Sequence, residues 1–350
     1  MESWVSRLIA EKHVKSRFYF ALVIACASLI SSTVSATAQQ TPYTPAELKK
    51  LEVLAEKYSP RKKAPQLLRL AENVLKRNPD NPEFLVHRGE AKLSLRMRDQ
   101  AVADFTEAIR IKPDCEYYRK RGYAYKVLGY YKKSLADYQT AARISGRASH
   151  LVNVAEIQIE VGDLAACIKE CKKAITMLNT EKDPEDRAYV ERLAHQTLGV
   201  AYLGSQQYTQ AAFHLNKVLE IAVACESKKQ GKPIQLKDLA RTYSSSILRR
   251  GEAYEKSGKL KEAIRDYELI DSAAPKHFQY KKSLLRAYRS ADMNEKALAL
   301  VNELLQLDDS PDLYYKRAEI YKKLGKDDLA KVDFDRARKR EDMFMGSRKE

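Results

Sequence analysis

The sequence predicts an all-α fold, a solenoid of about eight helical hairpins. Three observations predict it. Gly (12) and Pro (11) are scarce among 350 residues, about 3% each against a usual ~7% and ~5%. That shortage suits long helices and does not suit a sandwich, barrel or low-complexity chain. Hydrophobic residues make up 44% and charged residues 31%, a globular balance. Third, one pattern of small and large side chains recurs along nearly all of the chain after residue 44, the mark of a repeat architecture.

The first forty residues follow a different rule. Arg7, Lys12, Lys15 and Arg17 precede an apolar run, Phe18 to Ile30, of 13 residues, short of the ~20 that a spanning helix needs. A stretch of small polar residues follows, and Ala36-Thr37-Ala38 has the small-x-small form of a cleavage site. Residues 1–38 are therefore expected to be a cleaved secretory signal, with export to the periplasm or the medium. Two alternatives stand beside it: a lipobox-like Val23-Ile24-Ala25-Cys26, and an uncleaved anchor made by residues 18–30. Cleavage removes four Lys/Arg and two Asp/Glu, so the formal charge falls from +16 to +14 and four of the five cysteines remain. Four cysteines in so long a chain are too few for a disulfide scaffold.

Residues 39–47 read as a linker, and 48–344 as one repeated unit. The first helix of each hairpin carries a small site at Ala55, Gly89, Gly122, Ala155, Gly199, Gly251, Leu285 and Ala318. Tyr follows three residues later in six of the eight, which accounts for much of the 21-Tyr excess as packing. The second helix carries its own small site at Leu67, Ala101, Ser134, Cys167, Ala211, Ala263, Ala297 and Ala330, and a mostly larger residue four positions on. Offsets of three and four share one helix face, so each unit reads as two amphipathic helices. A mid-helix Gly costs about 1 kcal/mol against Ala, and the four at the small site are expected where two helix backbones cross. Gly129, Gly162, Gly258 and Gly325, seven residues after the small site, are expected to end first helices in the left-handed conformation.

The small sites are 34, 33, 33, 44, 52, 34 and 33 residues apart. The units accordingly fall near 48–81, 82–114, 115–147, 148–181, 184–225, 234–277, 278–310 and 311–344. The 44-residue step is read as a lengthened first helix begun by Asp183-Pro184. The 52-residue step is read as a loop, 227–233, before another lengthened helix, with a domain break at 226–243 as the rival reading.

Small sites, tyrosines and hairpin spacing together resemble the tetratricopeptide repeat. The resemblance covers roughly 44–340 and departs from the family in lacking the early Trp, and in Leu67 and Leu285. It implies a right-handed superhelix whose concave groove is lined by first helices, at positions three before, one after and four after the small site. In the third unit these are Arg119, Tyr123 and Lys126; in the seventh, Lys282, Arg286 and Arg289. Acidic residues (Glu52, Glu56, Glu90, Glu252, Glu255) occupy such sites elsewhere. The family's carboxylate clamp does not carry over, since only Arg119 and Asn153 match it loosely.

Motifs of chemistry are missing from the sequence. It has no Gly-x-Gly-x-x-Gly, no phosphate loop and no His-Glu-x-x-His. The histidines after residue 38 are well separated, and Cys167 and Cys171 fall on the packing face as buried free thiols. No enzyme activity, cofactor, metal or small-molecule substrate is expected. The expected partner is a protein or peptide, an acidic one where the two cation stripes bind it; nucleic acid is not favoured. The alternative function is binding of an anionic polymer or membrane surface, with membrane anchoring if the signal is retained.

Overall fold

Each helix begins and ends on local signals that the sequence carries. The computed structural model describes residues 42–56, 60–180 and 183–346; the basic head, apolar run and cleavage motif lie outside the described residues. Among the described residues there are helices and connections and no strand. The chain divides into two compact units at Pro113/Asp114.

The first unit holds two hairpins, α1 (Pro45–Glu56) with α2 (Pro60–Arg77) and α3 (Pro82–Ser94) with α4 (Arg98–Ile111). The second holds six. These are α5 (Cys115–Val127) with α6 (Tyr131–Ser145), α7 (Ala148–Val161) with α8 (Leu164–Met177), and α9 (Pro184–Gly204) with α10 (Tyr208–Gln230). After the four-residue α11 (Leu236–Leu239) come α12 (Ser244–Lys256) with α13 (Leu260–Ala273), α14 (Phe278–Ser290) with α15 (Asn294–Leu307), and α16 (Pro311–Lys323) with α17 (Asp327–Gly346). Within each unit consecutive helices pack on one another, which builds the expected solenoid of hairpins.

Side-chain caps start several helices. Asn81 accepts from Phe84 N, Asp114 from Glu116 N, Asp163 from Ala166 N, and Asp183 from Glu185 N and Asp186 N. Each satisfies a backbone donor that the helix itself leaves open. Ends follow one rule. The residue seven after the small site has positive φ in all of the last seven hairpins: Gly129, Gly162, Gly258 and Gly325 as expected, but Arg96, Gln206 and Asp292 in the other three. The hairpin requires the left-handed conformation there whether or not Gly supplies it.

The mid-helix glycines have a different neighbour from the one expected. No second backbone fills the space; a side chain of the second helix, 16 residues on, does. A Cβ on Gly251 would lie 2.6 Å from the Tyr267 ring, on Gly89 2.7 Å from Phe105, and on Gly199 2.7 Å from Leu215. Volume is traded between the two positions. In the seventh hairpin the small site holds Leu285, and the facing residue shrinks to Val301, both buried in one cluster. Leu67 is buried too. Cys167 and Cys171 are fully buried free thiols, and the bond between them together with burial keeps the Cys171 thiol far above its usual range.

A second link between paired helices was not read from the sequence. The residue before the small site and the residue 15 after it are Arg and Asp in four hairpins: Arg88–Asp104, Arg121–Asp137, Arg250–Asp266 and Arg317–Asp333. The guanidinium donates twin bonds of 2.6–3.1 Å to a buried carboxylate. The half-buried Tyr four residues after the Arg in three of these hairpins, Tyr125, Tyr254 and Tyr321, lies 5.8–5.9 Å beneath the guanidinium, within cation–π range. Arg250 and Arg317 also bond Asn216 and Asn302 of the preceding hairpin.

The long 52-residue step is built otherwise than expected. The sixth hairpin's first helix has ordinary length, and the extra residues lengthen α10 instead, to 23. Gly231 (φ 65°) ends that helix, Ile234 N bonds Ser227 Oγ, and α11 follows. Leu236, Ala240 and Tyr243 join the core formed by α12 to α16, so residues 226–243 lie within the second unit. The 44-residue step does hold a lengthened first helix, α9, of 21 residues.

Two substitutions test this packing. Gly251→Ala should lower stability by roughly 1–3 kcal/mol, because the enclosed Tyr267 ring cannot withdraw. Gly122→Ala meets its neighbours only at 3.3 Å, and the propensity gain of about 1 kcal/mol should leave it near neutral. Equal urea midpoints for the two variants would contradict the assignment. Gln206→Gly should raise stability by roughly 1 kcal/mol by relieving the left-handed side chain; a lower melting temperature would count against it.

Candidate functional site

The first helices of the second unit present their charged positions to one another. Call the positions one and four residues after the small site the near and far sites. Far-site Lys126 of α5 pairs with near-site Glu156 of α7 at 3.5 Å. Far-site Glu255 of α12 accepts two bonds, 2.8 and 2.9 Å, from near-site Arg286 of α14. Far-site Arg289 of α14 pairs with near-site Glu319 of α16. The three pairs have one geometry: the far site of one hairpin reaches the near site of the next. They form rungs across adjacent first helices and place the near and far sites on one continuous face.

Between the ionic rungs, around α9, the near and far sites turn mostly apolar. The α7 far site is Ile159, the α9 near and far sites are Val200 and Leu203, and all three are half-buried. Ile159 and Leu203 lean on the core cluster around Leu198 and Tyr202. The face therefore has an apolar middle, on α7 and α9, between charged rungs on either side. Tyr123, the near site of α5, is 48% exposed at its margin.

Of the six residues expected to bind a partner, the structure places Lys126, Arg286 and Arg289 in these rungs. Arg119 donates to Glu116 at 2.7 Å on its own helix, and Glu116 also meets buried His150 of α7 at 3.2 Å. The His150 bond, ahead of Arg119, holds the Glu116 carboxyl down to about 2. Among the described residues, Lys282 is the one of the five cations with no carboxylate partner; it sits 5.4 Å above the Phe278 ring. The cation stripes are not bare. Their charge is mostly neutralised by carboxylates from neighbouring hairpins, which a stripe read along one helix cannot reveal. Burial opposes ionisation of Glu255, but the Arg286 bond and the Tyr267 hydroxyl outweigh it and keep the carboxyl low. A hollow of ≈ 400 Å³ lies at the last rungs, lined by Arg286, Arg289, Ser290, Asn294, Glu319 and Lys323 among others.

Four hairpins lack the Arg and Asp at these offsets, and the fifth fills the place with a different polar pair. Where the four clamped hairpins carry Arg and Asp, this one has Leu198 and His214. His214 Nδ1 lies 2.8 Å from Nδ1 of His195, one turn earlier on α9, and both rings are buried. Tyr202 stacks flat on His214 at 5.3 Å. Burial, reinforced by His195, pushes His214 down to about 4, and burial lowers His195. Among the described residues, no three metal-ligating side chains come together, and no helix is long and apolar enough to cross a membrane.

Residues 82–115, 244–277 and 311–339 match the family model of the tetratricopeptide repeat. No match is found among the curated proteins. Among solved structures, the chain is similar to one in the APC/C hetero-tetramer Cut9-Hcn1, with TM-score 0.53 and 14% identity over 82% of this chain. It spans about half of that chain, 48%. It is also similar to PilW, a widely conserved type IV pilus biogenesis factor, with TM-score 0.53 and 16% identity over 67% of this chain and 96% of that one. At such identities the likeness is one of fold. The chain carries tetratricopeptide repeats at the three matched stretches, and its architecture is that of a helical-repeat solenoid.

Proposed function

We propose that this chain is an exported, non-enzymatic scaffold that holds a protein or peptide segment against the face of its first helices. The observation that carries the reading is the continuous row of near and far sites, apolar on α7 and α9 and bounded by ionic rungs. A partner segment with an apolar centre gains burial in the middle. Its charged ends meet side chains already held in place by their rungs, so little further ordering is lost on binding. Acidic residues in the partner would face Arg119, Lys126, Lys282, Arg286 and Arg289, and would compete with Glu116, Glu156, Glu255 and Glu319 for them. Such competition favours faster encounter over tighter binding.

The rungs decide which variant tests this. Replacing Arg286 or Arg289 also strands a carboxylate, so it confounds binding with folding. Lys282→Ser and Tyr123→Ser remove side chains that hold no carboxylate, and each should leave the thermal melt within about ±0.5 kcal/mol of the parent. Each should weaken capture of the partner recovered by crosslinking from the envelope, and Lys282→Ser should do so most at low salt. Unchanged association by both variants across a salt series would move the site off this face.

A second reading, binding of an anionic polymer or surface, is favoured by exposed Lys132 and Lys133 of α6 and Lys169, Lys172 and Lys173 of α8. Steep salt dependence with no partner selectivity would support it over the first. Export rests on the tripartite N-terminus. N-terminal sequencing of the exported protein should begin at Gln39, and a chain that keeps Phe18–Ile30 would refute cleavage.

A further inference from the structure

In four hairpins the two helices are locked by a permanent ion pair. In the fifth, the same place between the helices is held by two imidazoles, His195 and His214, bonded Nδ1 to Nδ1 at 2.8 Å and shielded from water. Such a bond needs one ring as donor and the other as acceptor. The donor ring can take an extra proton on Nε2 and keep the bond. A second proton has only the acceptor's Nδ1 to go to, and there it turns acceptor into donor and breaks the contact. Arginine and aspartate, as residue types, do not ordinarily titrate in the range where imidazole does.

The surroundings do not rescue a charged pair. Among the described residues, the charges that act on the rings come from α8 and α10: Lys172 and Lys217 oppose protonation, and Glu220 favours it on His195. Among the described residues neither ring is paired with a carboxylate; each is bonded to the other. Tyr202 and Phe213 cover His214 with aromatic surface, which solvates an imidazolium poorly compared with water. Nor does the fifth hairpin have an ionic rung to hold its first helix, since the near and far sites of α9 are Val200 and Leu203.

We propose that the fifth hairpin is an acid-sensitive joint: protonation of the His195–His214 pair separates α9 from α10 locally while the Arg–Asp hairpins stay closed. The sign follows from linkage. Both histidines bind protons less readily folded than unfolded, so the open form takes up protons as pH falls below about 6.5, and the hairpin's stability is lost over that fall. The consequence for the proposed function is that the apolar middle of the first-helix face, carried partly by α9, is withdrawn in acid. The joint does not depend on that reading, because it is a property of the helix pair.

Hydrogen exchange on the full chain at pH 7.5 and pH 5.0, corrected for intrinsic exchange rates, tests it without a partner. Protection of α9 and α10 should fall by about tenfold or more relative to α12 and α13. A fall shared equally by both hairpins, or none in α9 and α10, would overturn the proposal. The double variant His195→Gln, His214→Gln replaces titrating rings with amides that do not titrate. It should abolish the pH-dependent difference between the hairpins, and its persistence would assign the effect to other groups. Should the double variant not fold, the wild-type comparison alone decides.

Discussion

The interaction on which the rest depends is the buried Arg–Asp pair that ties the second helix of a hairpin to the first. Two short amphipathic helices can slide on one another by a turn and still bury apolar residues. A twin-bonded guanidinium and carboxylate, 16 residues apart in sequence, are satisfied at one register only. The net energy of such a pair is small, because removing both charges from water offsets most of their attraction. Burial lifts the Asp266 carboxyl even beside Arg250, the direction in which desolvation acts. What the pair supplies is position. With the register fixed, Phe105, Tyr138 and Tyr267 stand over Gly89, Gly122 and Gly251, and the near and far sites come to the same height on successive hairpins.

Register within a hairpin then propagates between hairpins. Arg250 and Arg317 each spend a remaining donor on an Asn of the preceding second helix, so the residue that sets one hairpin also sets its neighbour. The ionic rungs of the first-helix face form because of this alignment; Lys126 and Glu156, or Arg289 and Glu319, are about thirty residues apart and meet only if both hairpins hold their phase. In a repeat array, stability is close to a sum of such neighbour terms.

Much of the fold was legible in the sequence because spacing alone encodes it. Small sites at fixed offsets gave the hairpins, and Asp183-Pro184 gave the start of α9. The clamp is equally present in the sequence as Arg before the small site and Asp 15 after it, but only four of the eight hairpins carry both, so it stands out less than the small and aromatic positions. Other features could not be read along one helix. Whether Arg286 is bare depends on Glu255, 31 residues earlier on another first helix, and pairing across hairpins has no local signature. The ends at Arg96, Gln206 and Asp292 were hidden for a similar reason: the hairpin imposes positive φ on residues that do not advertise it.

The fifth hairpin shows what happens when the common solution is dropped. Among the described residues its helices are the longest, 21 and 23 residues. The core there includes Leu198, Tyr202, Ala211 and Ala253, the last from the sixth hairpin, so apolar contact carries the link onward where ionic rungs are missing. Apolar packing is tolerant of small shifts, whereas a twin-bonded ion pair is not. The fifth hairpin thus has the less directional link, and its polar interior rests on two buried rings bonded to each other. Charge and register are decided at the residue before the small site and the one 15 after it in four hairpins; in the fifth, His214 holds the second of these positions and bonds His195, one turn before the first.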